Sequence, residues 1–277
     1  MRIIYTQLLA QAGNIRIRRL SVRAPDIAGK AMAGQFVMVM AGAEGERIPL
    51  TIVEADQAQG IITLIFQEVG LTTKLLAKLK KGDDLYALVG PLGHPTKISN
   101  YGRVILVAGG VGIAEIYPIA KALKEAGNYV VTVAGARTKE LLILENELNC
   151  VSDELHIVTD DGSYGKKGFT TDILKELLNN ELRTTNYELV YAVGPLPMMK
   201  KVSLITKSYS LKTIVSLNSL MVDATGMCGC CRVTVAGKTK FSCVDGPEFD
   251  AHLVDWEELS AKNAMYVDKE KHICRYG

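Results

Sequence analysis

Apolar and polar residues alternate in short runs along the first third of the chain, with turn residues between the runs. The alternation is clearest in three segments: 14–23, 35–40 and 61–66. This pattern is typical of half-buried antiparallel strands. Segment 72–80 instead carries leucines at helical spacing with lysines towards the other side, and it stops at Gly82, a residue type that commonly ends helices. We therefore predict that residues 1–97 form a small antiparallel β-barrel with one helix.

The pattern changes after residue 97. Segment 103–108 is a nearly continuous apolar run, which is typical of a parallel strand buried on both faces. Further strands and helices then alternate: strands at 129–134, 155–159 and 188–193, and helices from Gly112 through Lys124, at 141–148 and at 171–181. Such alternation favours a doubly wound parallel sheet with helices on its faces. Residues 98–217 are therefore predicted to form an α/β domain.

The last segment, 218–277, is predicted to be a small domain with a cysteine-rich loop, a hairpin over 231–243 and a polar tail. Four of the six cysteines fall between positions 228 and 243. With an aspartate added, they give the pattern D-x4-C-x2-C-x11-C, formed by Asp223, Cys228, Cys231 and Cys243. Plant-type [2Fe–2S] ferredoxins use C-x4-C-x2-C and a distant fourth cysteine. The spacing is kept here, and a carboxylate replaces the first thiolate, so the loop predicts a [2Fe–2S] site.

Two other interpretations of the cysteines stay open. A structural zinc site also uses C-x2-C, but it usually needs a second such pair or two histidines, and His252 is the one nearby candidate. The thiols could also be inert. Cys230 is an additional cysteine between two of the predicted ligands and is an alternative to Asp223, although the x4 spacing favours Asp223.

Composition limits the function further. The net charge is only +2 with acids and bases interspersed, which gives no electrostatic footprint for nucleic acid. The apolar stretch near the N-terminus is short and interrupted, unlike that of a secretory signal. The sequence has no uninterrupted run of about 18 apolar residues, so no membrane span is predicted. We expect a cytoplasmic protein, in which thiols stay reduced.

Three loops follow predicted strands of the α/β domain, and their residues suit a nucleotide. They are Gly109-Gly110-Val111-Gly112, Asp160-Asp161-Gly162-Ser163 and Gly194-Pro195-Leu196-Pro197-Met198. Glycines let the backbone approach a pyrophosphate closely, and ligands of such sheets bind at the carboxyl ends of the strands. Each loop alone is also ordinary turn chemistry. Because all three lie at the same end of the predicted sheet, we predict a dinucleotide site there.

Together these motifs resemble ferredoxin–NADP⁺ reductase-type flavoproteins, in which a flavin barrel precedes a pyridine-nucleotide domain. The resemblance is closer to the iron–sulfur electron-transfer subunits of bacterial dihydroorotate dehydrogenase, and closer still to the small subunits of NADH-dependent reduced ferredoxin:NADP⁺ oxidoreductase. It covers nearly the whole chain. The barrel contributes Arg47-x-Pro-Leu-Thr51, Phe66-Gln-Glu-Val-Gly70-x-Thr-Thr73 and Val89-Gly-Pro-Leu-Gly93, and the end of the chain contributes the cysteine loop and Cys243-Val-Asp-Gly-Pro-Glu-Phe-Asp250.

The resemblance implies three cofactors: FAD, NAD(H) and a [2Fe–2S] cluster. It implies that FAD contacts Arg47, Pro49, Leu50, Thr51, Phe66, Gln67, Gly70, Thr72 and Thr73. Thr51 would lie near flavin N5 and is the candidate catalytic residue. The nicotinamide nucleotide would contact Gly109, Gly110, Val111, Gly112, Asp160, Asp161, Gly162, Ser163, Gly194, Pro195 and Met198. Asp223, Cys228, Cys231 and Cys243 would hold the cluster.

The resemblance also implies an enzyme activity. The chain would be an oxidoreductase subunit that passes electrons between NAD(H), FAD and the cluster, in a heterodimer with a larger subunit. That partner would carry another flavin and [4Fe–4S] clusters and would reduce NADP⁺ and ferredoxin by electron bifurcation. Asp223 favours this assignment, since the dihydroorotate dehydrogenase subunits have cysteine there. That electron-transfer subunit is the alternative, and a zinc-bearing scaffold without enzymatic activity is a third hypothesis.

Two residues bear on the predicted nucleotide site. One departs from the pattern of the relatives, and the other leaves the choice between NAD and NADP open. Many relatives have proline where this chain has Glu115, and a carboxylate at that place would repel a nearby phosphate unless it points away. Arg137, just beyond the second predicted strand of the α/β domain, could pair with a 2′-phosphate. The residues alone therefore do not decide between NAD and NADP, whereas the resemblance favours NAD(H).

Overall fold

A computed structural model of the protein describes residues 1–43, 45–179 and 186–265. The chain divides into two compact units. One comprises residues 1–95, 219–247 and the described residues from 255 onward, and the other comprises 96–218 and 248–254. The three functional domains expected at 1–97, 98–217 and 218–277 stay a prediction, because units of packing and cofactor-binding domains need not coincide.

The first unit is built on a six-stranded antiparallel sheet, with the order β1-β2-β5-β4-β3-β6. The strands are β1 (Ile3–Ala12), β2 (Ile15–Arg23), β3 (Phe36–Met40), β4 (Ile48–Asp56), β5 (Ile61–Gln67) and β6 (Ala87–Leu92). Backbone bonds from residues 1–3 to residues 82–85, just before β6, bring the two edges of the sheet together at one end. The predicted small β-barrel is confirmed.

Two short helices accompany this barrel: α1 (Pro25–Ala28) and α2 (Leu71–Lys78). The second corresponds to the helix predicted over 72–80. Alternating residues of the strands point inward, and Leu20, Ile62 and Leu64 are at most 1% exposed in the barrel core. Leu76 of α2 joins the same core, which is why the leucines of this helix recur at helical spacing.

The second unit contains a parallel sheet of six strands in the order β10-β9-β8-β7-β11-β12. The strands are β7 (Arg103–Gly109), β8 (Tyr129–Ala136), β9 (Glu154–Thr159), β10 (Lys166–Lys167), β11 (Leu189–Val193) and β12 (Thr213–Ser216). The sheet grows outward from β7 in both directions. The order in which strands are added to the sheet therefore reverses between β7 and β11. The crevice beyond the carboxyl ends of these two strands is the usual ligand site of such sheets.

Four helices cover this sheet: α3 (Gly112–Glu125), α4 (Glu145–Val151), α5 (Thr170–Leu178) and α6 (Leu196–Ser208). Helix α3 packs beside α4, and α5 beside α6, as the predicted doubly wound arrangement requires. The helix predicted at 141–148 is wrong in its bounds: a 3₁₀ turn ends at Leu141, and α4 begins only after Leu144, whose φ of 55° is left-handed. Glu181, the predicted end of the next helix, lies outside the described residues.

The cysteine segment belongs to the first unit. Its hairpin consists of β13 (Arg232–Val235) and β14 (Lys238–Phe241), and the turn residues Ala236 and Gly237 both have positive φ, as a tight hairpin turn needs. This is the hairpin predicted over 231–243. The chain then adds β15 (Glu248–Asp250) antiparallel to β12 and ends its described part with α7 (Trp256–Ala264).

Within the described residues, no helix combines the length and the apolar character that crossing a membrane would require.

Candidate functional site

The outer part of the cysteine loop is organised by a carboxylate. Asp223 accepts hydrogen bonds from the backbone N–H of Thr225 and of Cys228, both at 2.9 Å. Left-handed backbone at Ala224 and Gly226 lets the loop curl around this side chain. The hydrogen bonds from Thr225 and Cys228 lower the pKa of Asp223. Two predicted ligands therefore lie next to each other in the loop.

The inner part of the loop is a buried pair of thiols. The Sγ atoms of Cys231 and Cys243 are 3.2 Å apart, and the two residues are 2% and 1% exposed. They pack against Phe36 and Met38 of the barrel. Burial raises the pKa of Cys243 to about 12, so without a metal this thiol keeps its proton. All five cysteines among the described residues are free thiols.

The predicted ligands thus fall into two pairs, Asp223 with Cys228 and Cys231 with Cys243. In the part of the chain that the structure describes, no three Cys, His, Asp or Glu side chains converge as they would around one metal ion. A zinc ion needs four ligands on a single centre, whereas a [2Fe–2S] cluster distributes four ligands over two irons. The arrangement therefore fits a two-iron cluster better than zinc.

Two of the three predicted nucleotide loops pack directly against each other. A Cβ atom built on Gly112 would lie 2.6 Å from the carbonyl oxygen of Val193, and one on Gly194 would lie 3.0 Å from the backbone N and O of Gly109. Met198 and Pro195 also approach Gly109 closely. These glycines leave a concave backbone surface at the carboxyl ends of β7 and β11, where α3 begins. Such a surface suits a pyrophosphate.

The third loop also lies at the carboxyl-terminal end of the parallel strands, but farther from β7. Asp160 to Ser163 follows β9, and β8 separates β9 from β7. Asp161 accepts hydrogen bonds from the backbone N–H and the hydroxyl of Ser163, at 2.9 and 2.7 Å, and these bonds lower its pKa. Lys139, beyond β8, donates its backbone N–H to the Ser163 hydroxyl. The structure therefore joins this loop to the segment of Arg137, not to Gly109–Gly112.

The barrel residues that the resemblance assigns to FAD binding fall into two groups: some are exposed or half-buried, and others stabilise the barrel itself. Arg47 is exposed, and Pro49 to Thr51 lie half-buried in β4, opposite β3. The hydroxyl of Thr72 reaches the carbonyl of Glu46 at 3.5 Å, which links the segment of Arg47 to the start of α2. A guanidinium beside a helix N-terminus is a favourable place for phosphate. The start of α2 with Gly70 and Thr72 therefore suits the pyrophosphate of FAD, as the resemblance implies for residues 66–73.

Two of these barrel residues have structural roles. The ring of Phe66 lies in the barrel core at 3% exposure. The Thr73 hydroxyl accepts the N–H groups of Val69 and Gly70 and donates to the Gly70 carbonyl, all at 3.0 Å. Thr73 therefore fixes the entry into α2.

Replacing Thr73 by alanine is expected to lower the free energy of unfolding by about 0.5–2 kcal/mol, because two backbone N–H groups at the start of α2 lose their capping hydroxyl. The same change should weaken FAD retention, since the loop before α2 loses its fixed shape. Thr73→Ser keeps the hydroxyl and is the matched control. Denaturant unfolding and flavin content measure both effects, and a serine variant as unstable as the alanine variant would contradict this role.

The second unit contains a buried carboxyl group that the sequence motifs did not indicate. Glu248 of β15 accepts hydrogen bonds from Thr96 and from the hydroxyl of Tyr191, the latter at 2.7 Å. Tyr191 is 1% exposed, and burial raises its pKa, with Glu115 contributing through its charge. Burial also raises the pKa of Glu248, although its hydrogen bonds act in the opposite direction.

Glu248→Gln should change how stability depends on pH. A raised folded-state pKa means that the neutral carboxyl contributes stability fully below its ordinary pKa and loses that contribution as the pH rises through the folded value. Glutamine stays neutral and keeps an acceptor for Tyr191. As the pH rises above the ordinary pKa of glutamate and through the raised folded-state pKa, the variant should gain stability relative to wild type, by about 1.4 kcal/mol per unit of pKa elevation. A difference in denaturant midpoint that is constant with pH would contradict this.

Comparisons with known proteins find family matches for two regions of the chain. Residues 218–255 match the family model of the iron-sulfur cluster binding domain of dihydroorotate dehydrogenase B, and residues 106–203 match the oxidoreductase NAD-binding domain. A Thermotoga maritima protein named as a homolog of the dihydroorotate dehydrogenase B (NAD(+)) electron transfer subunit is 49% identical over 90% of this chain and 87% of its own. The corresponding Bacillus caldolyticus subunit is 36% identical over 79% and 84%.

Solved structures extend the likeness to the whole chain. A structure of an NADH-dependent reduced ferredoxin-NADP oxidoreductase, described for flavin-based electron bifurcation, is 44% identical with a TM-score of 0.91, covering 99% of this chain and 96% of that one. A ferredoxin-NADP+ reductase from Plasmodium falciparum has a TM-score of 0.62 at 17% identity over 77% of this chain and 94% of its own, which shows a shared fold alone.

Proposed function

The chain belongs to the family of dihydroorotate dehydrogenase B electron transfer subunits, and from this premise we propose that it is the small subunit of an electron-bifurcating NADH-dependent reduced ferredoxin:NADP⁺ oxidoreductase. It would relay electrons between NAD(H) and a larger partner subunit that reduces NADP⁺ and ferredoxin. The likeness to one such enzyme over 99% of the chain is the observation that carries this proposal. Asp223 beside Cys228 supports it further.

The cofactors are FAD, a [2Fe–2S] cluster and NAD(H), and when bound they supply hydride and single-electron transfer, which side chains cannot perform. Arg47, Thr51, Gly70 and Thr72 would bind FAD, together with Pro49, Leu50 and Gln67. The glycine loops after β7 and β11 would hold the nicotinamide half of NAD(H), with Val111, Pro195 and Met198, and residues 160–163 the adenosine half. Asp223, Cys228, Cys231 and Cys243 would be the cluster ligands.

The residues around the cysteine loop suit transfer to a partner protein. Cys231 and Cys243 keep water away from the inner end of the loop, whereas Cys228 is exposed. Leu220 and Val222 are about half exposed, at 48% and 45%, and Met227 is 87% exposed. Exposed apolar side chains in one segment commonly mark protein interfaces. We therefore place the contact with the larger subunit on this side of the loop, in a cytoplasmic heterodimer.

A second candidate is the electron transfer subunit of a dihydroorotate dehydrogenase. The names of the curated relatives favour it, including the Thermotoga maritima homolog. The two candidates differ in their partner. Purification of the native complex, followed by assays with NADPH plus ferredoxin and with dihydroorotate, separates them. Oxidation of dihydroorotate by the complex would overturn the bifurcating assignment.

The first test is an anaerobic absorption spectrum of the purified chain, before and after NADH is added. Flavin bands and a broad iron–sulfur envelope that both bleach are the expected result. A flavin spectrum without iron–sulfur absorption, even after cluster reconstitution, would overturn the ligand assignment. A chain with neither chromophore would favour the zinc-bearing scaffold, and metal analysis would then show zinc.

A further inference from the structure

An ion pair lies at the end of the barrel core, in the segment that leads to the predicted FAD site. Nε of Arg18 on β2 donates a hydrogen bond to Oε1 of Glu68 at 2.5 Å. The two side chains are 22% and 11% exposed. Glu68 is the third residue of the motif Phe66-Gln-Glu-Val-Gly70, although the resemblance assigns it no contact with FAD. The role of this half-hidden pair is therefore open.

Both charged residues continue rows of side chains that face the barrel core. Successive residues of a strand point to opposite faces of the sheet. Leu20 of β2 pairs with Leu64 of β5, both in the core, and Arg18 and Phe66 are the next pair on that face. Glu68 follows two residues later, and its backbone N–H still bonds to β2. The salt bridge thus closes the inner face of the sheet where β5 leads towards α2.

A carboxylate so far removed from water depends on its partner. When one member of a buried ion pair is removed, the other is left as an uncompensated charge, which costs more than the pair itself contributes. Glu68 lies two residues before Gly70, at the start of the helix that would hold the flavin's pyrophosphate. Like charges repel more strongly in a partly buried site than in water. An unpaired Glu68 would therefore disfavour the phosphates of FAD.

We infer that Arg18 is a positioning residue for FAD, which acts by neutralising Glu68 and not by touching the flavin. The salt bridge anchors the beginning of the segment between β5 and α2. Thr73 anchors its end through the N–H groups of Val69 and Gly70. A segment fixed at both ends loses less entropy when a ligand binds. This inference rests on the proposed function, in which residues 66–73 contribute to FAD binding.

The experiment measures the dissociation constant of FAD for the deflavinated full chain, from the quenching of flavin fluorescence. The variants are Arg18→Ala, Glu68→Gln, the double variant of these two, and Arg19→Ala. The last is the matched control, because Arg19 lies on the same strand, is also 22% exposed and pairs with Glu54 at 3.8 Å. It removes the same charge without unpairing Glu68. Circular dichroism and thermal melting check that each variant is folded.

Arg18→Ala should weaken FAD binding by at least about tenfold, because it leaves the Glu68 carboxylate unpaired. Glu68→Gln and the double variant should stay within about threefold of wild type, since neither carries that negative charge. Arg19→Ala should also stay within about threefold, because a loose, partly exposed ion pair contributes little. Recovery in the double variant is the decisive result, since the side chain of Arg18 is missing there as well.

Three results would overturn the inference. In the first, a folded Arg18→Ala variant binds FAD as wild type does. In the second, the double variant binds as weakly as Arg18→Ala, which would make Arg18 a packing residue. In the third, Arg19→Ala loses as much affinity as Arg18→Ala, which would indicate a general effect of charge.

The double variant also decides the case in which Arg18→Ala does not fold. A double variant that folds and binds FAD with wild-type affinity would support the inference, and one that does neither would overturn it. A wild-type chain that binds no FAD would overturn the proposed FAD site itself. That failure differs from one in which wild type binds FAD and the loss of Arg18 has no effect.

Discussion

Replacing Cys231 by alanine is expected to remove nearly all bound iron and sulfide from the protein, a loss of at least about tenfold. Cys231 is 2% exposed, and its Sγ lies 3.2 Å from that of Cys243. The surrounding core is formed by apolar residues of the barrel and of the cysteine segment, among them Phe36, Met38 and Phe241, and the other thiol in it is that of Cys243. Loss of Cys231 therefore leaves this buried core with a single predicted ligand.

The measurement is iron and acid-labile sulfide per protein after reconstitution, together with visible absorption. Cys150→Ala is the control, because this cysteine is exposed on α4 and takes no part in the loop. The alanine at position 231 removes little volume, so the barrel should still bind FAD. A Cys231→Ala variant that keeps both its iron and its flavin would show that the inner pair does not hold a metal.

Local spacing was enough to identify the ligand candidates, but it did not show where the loop packs. Cys231 and Cys243 share a core with Phe36 and Met38 of β3. The contact joins segments about 200 positions apart, and no periodic pattern reports such a pairing. The barrel and the cysteine segment therefore form one unit in the structure, which the sequence treated as two.

The elements themselves were predicted where one face is clearly buried. Strands such as β7 appear as continuous apolar runs because both of their faces are covered. Helix α4 was misplaced because Leu141, Ile143 and Leu144 are buried in an irregular turn, and apolar spacing alone does not separate such a turn from a helix. The Tyr191–Glu248 pair was missed because its partners lie on strands far apart in sequence.

The family was recognisable from motifs in both units, and the matches over most of the chain confirm it. The motifs did not show the role of each individual residue, as Thr73 and Phe66 illustrate. Both stand in a motif attributed to FAD binding. In the structure, one caps a helix and the other fills the core. A motif marks a segment that must keep its shape, and only coordinates separate residues that shape it from residues that touch a ligand.

Gly112→Ala is expected to weaken NADH binding by at least about tenfold, through crowding of the backbone between β7 and α3. Its new Cβ would lie 2.6 Å from the carbonyl oxygen and 2.9 Å from the carbonyl carbon of Val193. Both are main-chain atoms of a central strand and have no room to move aside. The loop after β7 must shift instead, and it would take the N-terminus of α3 away from the position that suits a pyrophosphate.

Gly110→Ala is the matched control for this change. Gly110 lies in the same loop and has a left-handed φ of 59°, but nothing lies within 4 Å of an added Cβ. The substitution should cost about 1–2 kcal/mol of backbone strain without crowding the loop. NADH titration of the flavin-loaded protein gives the affinity, and thermal melting gives the stability. If crowding of the backbone distorts the nucleotide site, Gly112→Ala should lose more NADH affinity than Gly110→Ala, even if the two variants are equally stable. Equal losses of affinity in both variants would instead mean that backbone strain, rather than the packing of the two glycine loops, shapes the nucleotide site.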